Sequence, residues 1–326
     1  MRGISLPGCR STSLLGVLLV LLILFGQIEA RASSEGDTKP SDVEIAFLED
    51  WCERYSEEKE LKTKYEPRVR LAFRLTKDGW KAFDNRVSGS DELKQAAKRF
   101  SGDRKWILLE REQPLDSLIS QEITAYQWYA DVGMQDIVGS LPASALLPRG
   151  IKFSGWLGCQ VRRPIVLISR KPQKASDNWQ EIEPSFKPDT EIVHLIKTFG
   201  NGLYTCTDER DENGTLLKAE IKQDMLETVE EFVSGKGDRL FAVKFLDDAC
   251  VTNVIAEHEY SMYWFAQLGT SPLKFIGQGL TLIDWADYDL DGHAEFLFWL
   301  DGYNLNGYRI LWKGMTETAT FSWQYH

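Results

Sequence analysis

The residues best suited to chemistry lie together in one run, Asp287-Tyr288-Asp289-Leu290-Asp291-Gly292-His293-Ala294-Glu295. Three carboxylates fall at alternate positions, a glycine follows the third, and a further carboxylate closes the run. Hard cations take six or more oxygens, drawn from carboxylates and backbone carbonyls, and a tight loop can deliver them. In this reading Asp287, Asp289 and Asp291 supply side-chain oxygens, His293 its main-chain carbonyl, and Glu295 closes the site. The ion that suits such a set is Ca²⁺ in a structural role. Gly292 allows a sharp turn that a β-carbon would obstruct. The loop is not an EF-hand, because its twelfth position is Phe298 and not a bidentate glutamate. A solvated acidic turn that binds nothing is the competing reading.

Residues 280–286 before the loop and 296–300 after it are short apolar runs rich in aromatic and branched side chains, which predicts strands. An acidic loop of this spacing between two strands resembles the calcium loop of FG-GAP and VCBS-type repeats, found in cell-surface and secreted β-propellers. The resemblance covers residues 280–300, in a single copy. Glu295 stands in the ninth position, where Asp is commoner in the repeat. The resemblance implies calcium held in the loop and a place outside the cytoplasm.

Other chemistry is sparse. The chain has no Gly-x-Ser-x-Gly elbow, no phosphate-binding loop of Walker type and no dinucleotide fingerprint. His258-Glu259 begins like a zincin motif, but Met262 occupies the place of the second histidine, and one histidine does not make a three-ligand zinc site. His194 lies among apolar residues and is expected in the core. No catalytic residue is assigned. The alternative to a binding protein is a secreted glycan-acting hydrolase using paired carboxylates, with structural calcium. Eleven tryptophans and eleven tyrosines could stack on sugars. Trp285, Trp299, Trp312 and Trp323, however, fall within expected strands, where aromatic side chains fill cores. Asp301, Asn304 and Asn306 are expected to shape the next hairpin. Asn213-Gly214-Thr215 has the form of a glycosylation sequon.

The rest of the chain must position this loop. Ser41 and Glu44 form a capping box, and Phe47, Leu48, Trp51, Cys52 and Tyr55 recur at helical spacing, which predicts an amphipathic helix over 42–58. Val69, Leu71, Phe73 and Leu75 alternate and predict a strand over 68–75. A short helix over 91–100, a strand over 106–109 and a hairpin built from 151–157 and 161–169 follow, whereas 121–149 suits either state. The polar segment 171–188, with Pro172, Pro184 and Pro188, is a candidate linker. It separates an N-terminal α+β region, 33–170, from a β-rich region, 189–326. Residues 190–199 predict a helix ended by Gly200. Asn213-Gly214, residues 235–238 and Asn306-Gly307 mark turns among strands at 260–265, 273–276, 308–312 and 320–325. The expected class is α+β, mainly antiparallel β in the C-terminal half, with an N-terminal amphipathic helix.

Arg2 and Arg10 precede an apolar run over 14–25, and Ala30-Arg31-Ala32 has the small-residue form of a cleavage site. Residues 1–32 therefore read as a signal peptide, and the run is short for a membrane anchor. The whole chain carries a formal net charge of −11. Loss of residues 1–32 removes three arginines and one glutamate and leaves −13. Such a surface argues against nucleic acid or an anionic membrane as partner, and leaves a protein or glycan at the cell surface. Cys52, Cys159, Cys206 and Cys250 remain, an even number that in an exported protein reads as two disulfides of open connectivity. The function expected is that of a secreted or periplasmic calcium-binding protein, structural or recognitional and not catalytic.

Overall fold

The segment expected to form an N-terminal helix is a strand, β1 (Glu44–Glu57), paired antiparallel along its length with β2 (Glu60–Thr76). The computed structural model describes residues 43–57, 60–83, 102–123, 134–146, 152–154, 160–162, 164–200, 203–206, 210–253, 262–302 and 305–324. The signal peptide and the helix expected over 91–100 lie outside them. Packing explains the correction at β1. Ala46 and Leu48 point to one side, with Val69, Leu71, Trp106 and Leu167. Ile45 and Phe47 point to the other, with Phe73, Val166 and Ile168. A strand buried on both faces loses its polar alternation, and its continuous apolar run can then mimic a helical stripe. The proposed cap residue Glu44 instead binds across the sheet, its carboxylate accepting from Arg104 Nε at 2.8 Å.

Further along come β3 (Gly79–Ala82), β4 (Arg104–Glu110), β5 (Gln113–Ile123), β6 (Met134–Val138), the short pair β7 (Lys152–Ser154) and β8 (Gln160–Arg162), and β9 (Ile165–Ile168). Strands β1, β9, β4, β5, β6 and β2 pair in that order, and β1 pairs back onto β2. The result is a closed six-stranded barrel, all of its pairings antiparallel, with β3 added along β2. Closure leaves the barrel without an open edge. Inside it, Trp106 donates to Ser120 Oγ at 2.7 Å and Ser120 to Gln135 Oε1 at 2.6 Å, so these buried polar groups satisfy one another.

The second half supplies β10 (Gln180–Ile182), α1 (Thr190–Phe199), β11 (Leu203–Thr205), β12 (Leu226–Val233), β13 (Arg239–Phe245), β14 (Val251–Asn253), β15 (Tyr263–Gln267) and β16 (Lys274–Gln278). The meander β17 (Leu280–Ala286), β18 (Glu295–Gly302), β19 (Leu305–Trp312) and β20 (Glu317–Gln324) completes it. Strands β10, β12, β13, β15 and β16 form a five-stranded sheet. The meander is the central layer. Leu297, Trp299, Tyr308, Ile310 and Trp323 pack toward the barrel. Leu282, Phe296, Phe298, Leu300 and Leu311 pack toward Phe232, Ala242, Trp264 and Ala266 of the five-stranded sheet. The far face of that sheet, with Phe241, Val243, Tyr263 and Phe265, holds Ile192 and Ile196 of α1. Trp285, Trp299, Trp312 and Trp323 are all buried core residues.

Among the described residues α1 is the one helix longer than six residues, and the expected α+β class gives way to a mainly β fold. The helix has the predicted bounds, with Asp189 accepting from the Glu191 and Ile192 amides as its N-cap. His194 faces solvent and not the core, because the buried stripe runs through Ile192 and Ile196. Asn306 and Gly307 do not form a turn. They lie inside β19, paired with Asp301 and Leu300. A Cβ on Gly307 would stand 2.2 Å from the Phe321 carbonyl, so the glycine serves close strand approach.

One polar cluster joins barrel and meander. Glu49 on β1 accepts from Arg70 Nε at 2.7 Å and from the Tyr308 hydroxyl. The Arg70 guanidinium lies 3.9 Å from the Trp323 ring centre, and Phe47 stacks on Tyr308. All three polar partners are buried. Removing one member of a buried ion pair leaves the other charge uncompensated. Glu49→Ala is therefore expected to lower the urea unfolding free energy by about 3–5 kcal/mol. A loss below about 1 kcal/mol would mean that the cluster behaves like an exposed pair.

Cys206 and Cys250 form a disulfide across a sequence separation of 44, next to the β11–β14 pairing. The side chain of Cys52 and the whole of Cys159 lie outside the described residues. Closing a loop of this length restricts the unfolded chain by about 4 kcal/mol. Cys206→Ser with Cys250→Ser should reduce stability by roughly that amount in chemical denaturation, and no change would show that the bridge closes little unfolded-state freedom.

Candidate metal centre

The acidic loop joins β17 to β18 and is built from side-chain caps on its own backbone. Asp287 Oδ2 accepts from the Gly292 amide at 3.0 Å, Asp289 Oδ1 from Asp291 at 3.1 Å, and Asp291 Oδ1 from His293 at 2.8 Å. Short acidic side chains favour such turns because they reach an amide two residues on. Gly292 sits at φ 91°, the left-handed geometry that glycine adopts without steric cost. Glu295, the first residue of β18, reaches back so that its Oε2 accepts from the Tyr288 amide at 2.7 Å.

These bonds bring three of the five expected ligands together. Oxygens of Asp287, Asp289 and Glu295 lie within 4.8 Å of one another, a grouping that could hold a metal ion. Asp287 is 2% exposed and Glu295 0%, while Asp289 is half-buried. Each buried carboxylate commits one oxygen to the loop, and Asp287 Oδ1 and Glu295 Oε1 remain buried without a hydrogen-bond partner. Asp291 is exposed and lies outside the grouping. The His293 imidazole sits 3.8 Å from Asp177 Oδ2. Asp301 and Asn306 pair with each other at the far end of β18, about 20 Å away at strand rise, and take no part in this grouping.

Sequence reasoning missed the groups that hold the loop from outside. The Gln173 amide donates to the Asp287 carbonyl at 3.3 Å, and the Ser176 amide to the Gly292 carbonyl at 2.8 Å. Asp177 Oδ2 accepts from the Ala294 amide at 3.1 Å and from Trp179 Nε1 at 3.0 Å. All belong to the segment 171–188, whose polar composition carries no mark of a loop more than a hundred residues on. The tip of the β4–β5 hairpin arrives from the barrel. Its residues Arg111 and Glu112 have φ of 48° and 66°, a turn that usually takes Asn-Gly. The Arg111 amide donates to buried Asp284 Oδ1 at 2.7 Å, and Glu112 Oε1 accepts from Ala175 at 3.4 Å.

Like charges this close cannot all ionise freely. Two unit charges 4.8 Å apart repel by about 3 kcal/mol at an effective dielectric near 20. Burial, and after it the neighbouring aspartates, pushes the Glu295 carboxyl up to about 10. Burial and then Asp291 push Asp289 up to about 6. Asp287 is also raised, chiefly by burial, and Glu112 likewise. The cluster can be neutralised by protons or by a bound cation, and the two compete. Comparison of the chain with protein-family models, with curated proteins and with solved structures found no match.

The pH dependence of the cation-free protein follows. A carboxyl raised from 4.5 to about 10 binds its proton more tightly in the folded state, so its stabilising contribution is complete below pH 4.5. It is lost progressively as pH rises toward 10. In the presence of chelator, stability should therefore decline with rising pH, and Glu295→Gln should flatten that decline. Denaturation at several pH values tests this, and an unchanged slope in Glu295→Gln would remove Glu295 as its source.

Proposed function

We propose that this is an exported, calcium-stabilised β protein with a non-catalytic, structural or recognition role at the cell envelope or outside the cell. The observation that carries the reading is the pair of buried, unpartnered oxygens of Asp287 and Glu295 within the three-carboxylate grouping. Leaving such acceptors bare costs about 1–3 kcal/mol each, more when charged, and a cation removes that cost. The donor set is all oxygen, which suits a hard ion and not zinc or copper. Several carboxylates in an irregular loop favour calcium over magnesium, whose shell is smaller and near-octahedral. The likeness of residues 280–300 to FG-GAP and VCBS-type calcium loops supports the same ion.

A structural role for the ion is supported by burial, since Asp287 and Glu295 have almost no exposed surface from which a substrate could approach. Export is supported by the leader-like residues 1–32 and by the Cys206–Cys250 bridge, which fits an oxidising compartment. Among the described residues no helix is long and apolar enough to cross a membrane. The partner is a protein or glycan of the cell surface. The second reading, a glycan hydrolase with structural calcium, needs two carboxylates facing one cleft. Asp224 is the carboxylate that lines an open cavity of about 450 Å³ near the start of α1, together with Lys187, Pro188, Gln223 and Leu226.

Extracellular calcium modules bind with Kd on the order of 10⁻⁴–10⁻³ M. Calcium at ten times Kd adds about 1.4 kcal/mol and should raise Tm by a few degrees, with magnesium doing less. Asp289→Asn should abolish most of the rise, whereas Asp291→Asn, outside the grouping, should reduce it much less. Thermal unfolding and calorimetric titration of the chelator-treated protein decide the matter. Equal calcium binding by the wild type and Asp289→Asn would reduce the loop to a hairpin turn.

A further inference from the structure

We infer that Asp177 is a positioning residue for the ion, an outer carboxylate supplied by a distant segment that fixes the end of the calcium loop and adds its charge to the site. The inference rests on the calcium reading and deepens it. Asp177 lies 117 residues before Ala294, whose amide it accepts, and Ala294 directly precedes the grouped residue Glu295. The same oxygen, Oδ2, accepts from Trp179 Nε1, and the Asp177 carbonyl accepts from the Gly235 amide at 2.7 Å. Its carboxylate is thus anchored through Trp179 and through its own backbone, and its direction is set by the fold and not by the loop. Trp179 is itself held, packed edge-on against Phe296 with ring centres 5.0 Å apart.

The second oxygen, Oδ1, is buried and has no hydrogen-bond partner, in a residue only 7% exposed. A purely structural cap needs one acceptor oxygen and no charge, and an asparagine would serve. A buried carboxylate whose spare oxygen no donor meets is better explained by a cation nearby. The three grouped carboxylates meet one another within 4.8 Å, and Asp177 is not one of the three, so its part is to hold the Ala294 amide beside Glu295. Groups that orient metal ligands from behind typically change affinity by 10–100-fold when replaced.

The test is calorimetric titration of the full-length, chelator-treated protein with Ca²⁺, on the wild type, Asp177→Asn and Ser176→Ala. Asp177→Asn keeps an acceptor for Ala294 and Trp179 but removes the charge. Ser176→Ala removes a hydroxyl bond to the Gly292 carbonyl from the same segment without touching any charge. The expected result is a Kd raised by about tenfold in Asp177→Asn, with the Tm of the calcium-free protein at or above the wild-type value, because a buried charge is removed. Ser176→Ala should change Kd by much less. An unchanged Kd in Asp177→Asn, or an equal rise in Ser176→Ala, overturns the inference while the calcium reading stands. Absence of binding by the wild type overturns both.

Discussion

The architecture depends on a four-stranded sheet whose strand β18 is buried on both faces. The β17–β20 meander is covered by the barrel on one side and by the five-stranded sheet on the other, so residues at both parities along β18 must be apolar. Burying a large apolar side chain contributes roughly 1.5–3 kcal/mol, and Phe296, Leu297, Phe298 and Trp299 do so in succession. The same double burial leaves charge and polar groups to be managed between the layers and at the strand connections. Glu49, Arg70 and Tyr308 settle it at the barrel contact by pairing with one another. The acidic loop settles it at the β17–β18 connection by capping its own amides.

That loop has more negative charge than its backbone requires. Four carboxylates of the loop make its caps, and Asp177, Glu112 and Asp284 also reach the region from outside it. The excess is costly in a cation-free protein and becomes useful when a cation is present, because each added carboxylate then stabilises the bound form. Stability and binding are in this way opposed within one cluster. The turn at Arg111 and Glu112 shows the same trade locally. Two non-glycine residues in left-handed geometry cost about 1–2 kcal/mol each, offset by their bonds to Asp284 and Ala175.

The sequence was legible where a signal is local. The spacing of Asp287, Asp289, Asp291, Gly292 and Glu295 marked the loop because side chains two residues apart cap one another's amides. Helix α1 was legible because its apolar stripe and its terminal glycine lie within a dozen residues. Strands β17 to β20 were found nearly in place, because short aromatic and branched runs between turns have few other solutions.

Tertiary structure decided the rest, for one physical reason: these features depend on partners that are distant in the chain. Residues 44–57 form a strand because β2 and β9 offer them hydrogen bonds and apolar cover on both sides, which no local periodicity records. Gly307 looks like a turn glycine until Phe321 is seen against it. Which loop residues converge was also a matter of the fold, since Asp287 and Glu295 turn inward under cover from the 171–188 segment while Asp291 stays in water. Local spacing determined that an acidic loop would form between two strands. Long-range packing determined which of its carboxylates are buried and which three are brought within 4.8 Å of one another.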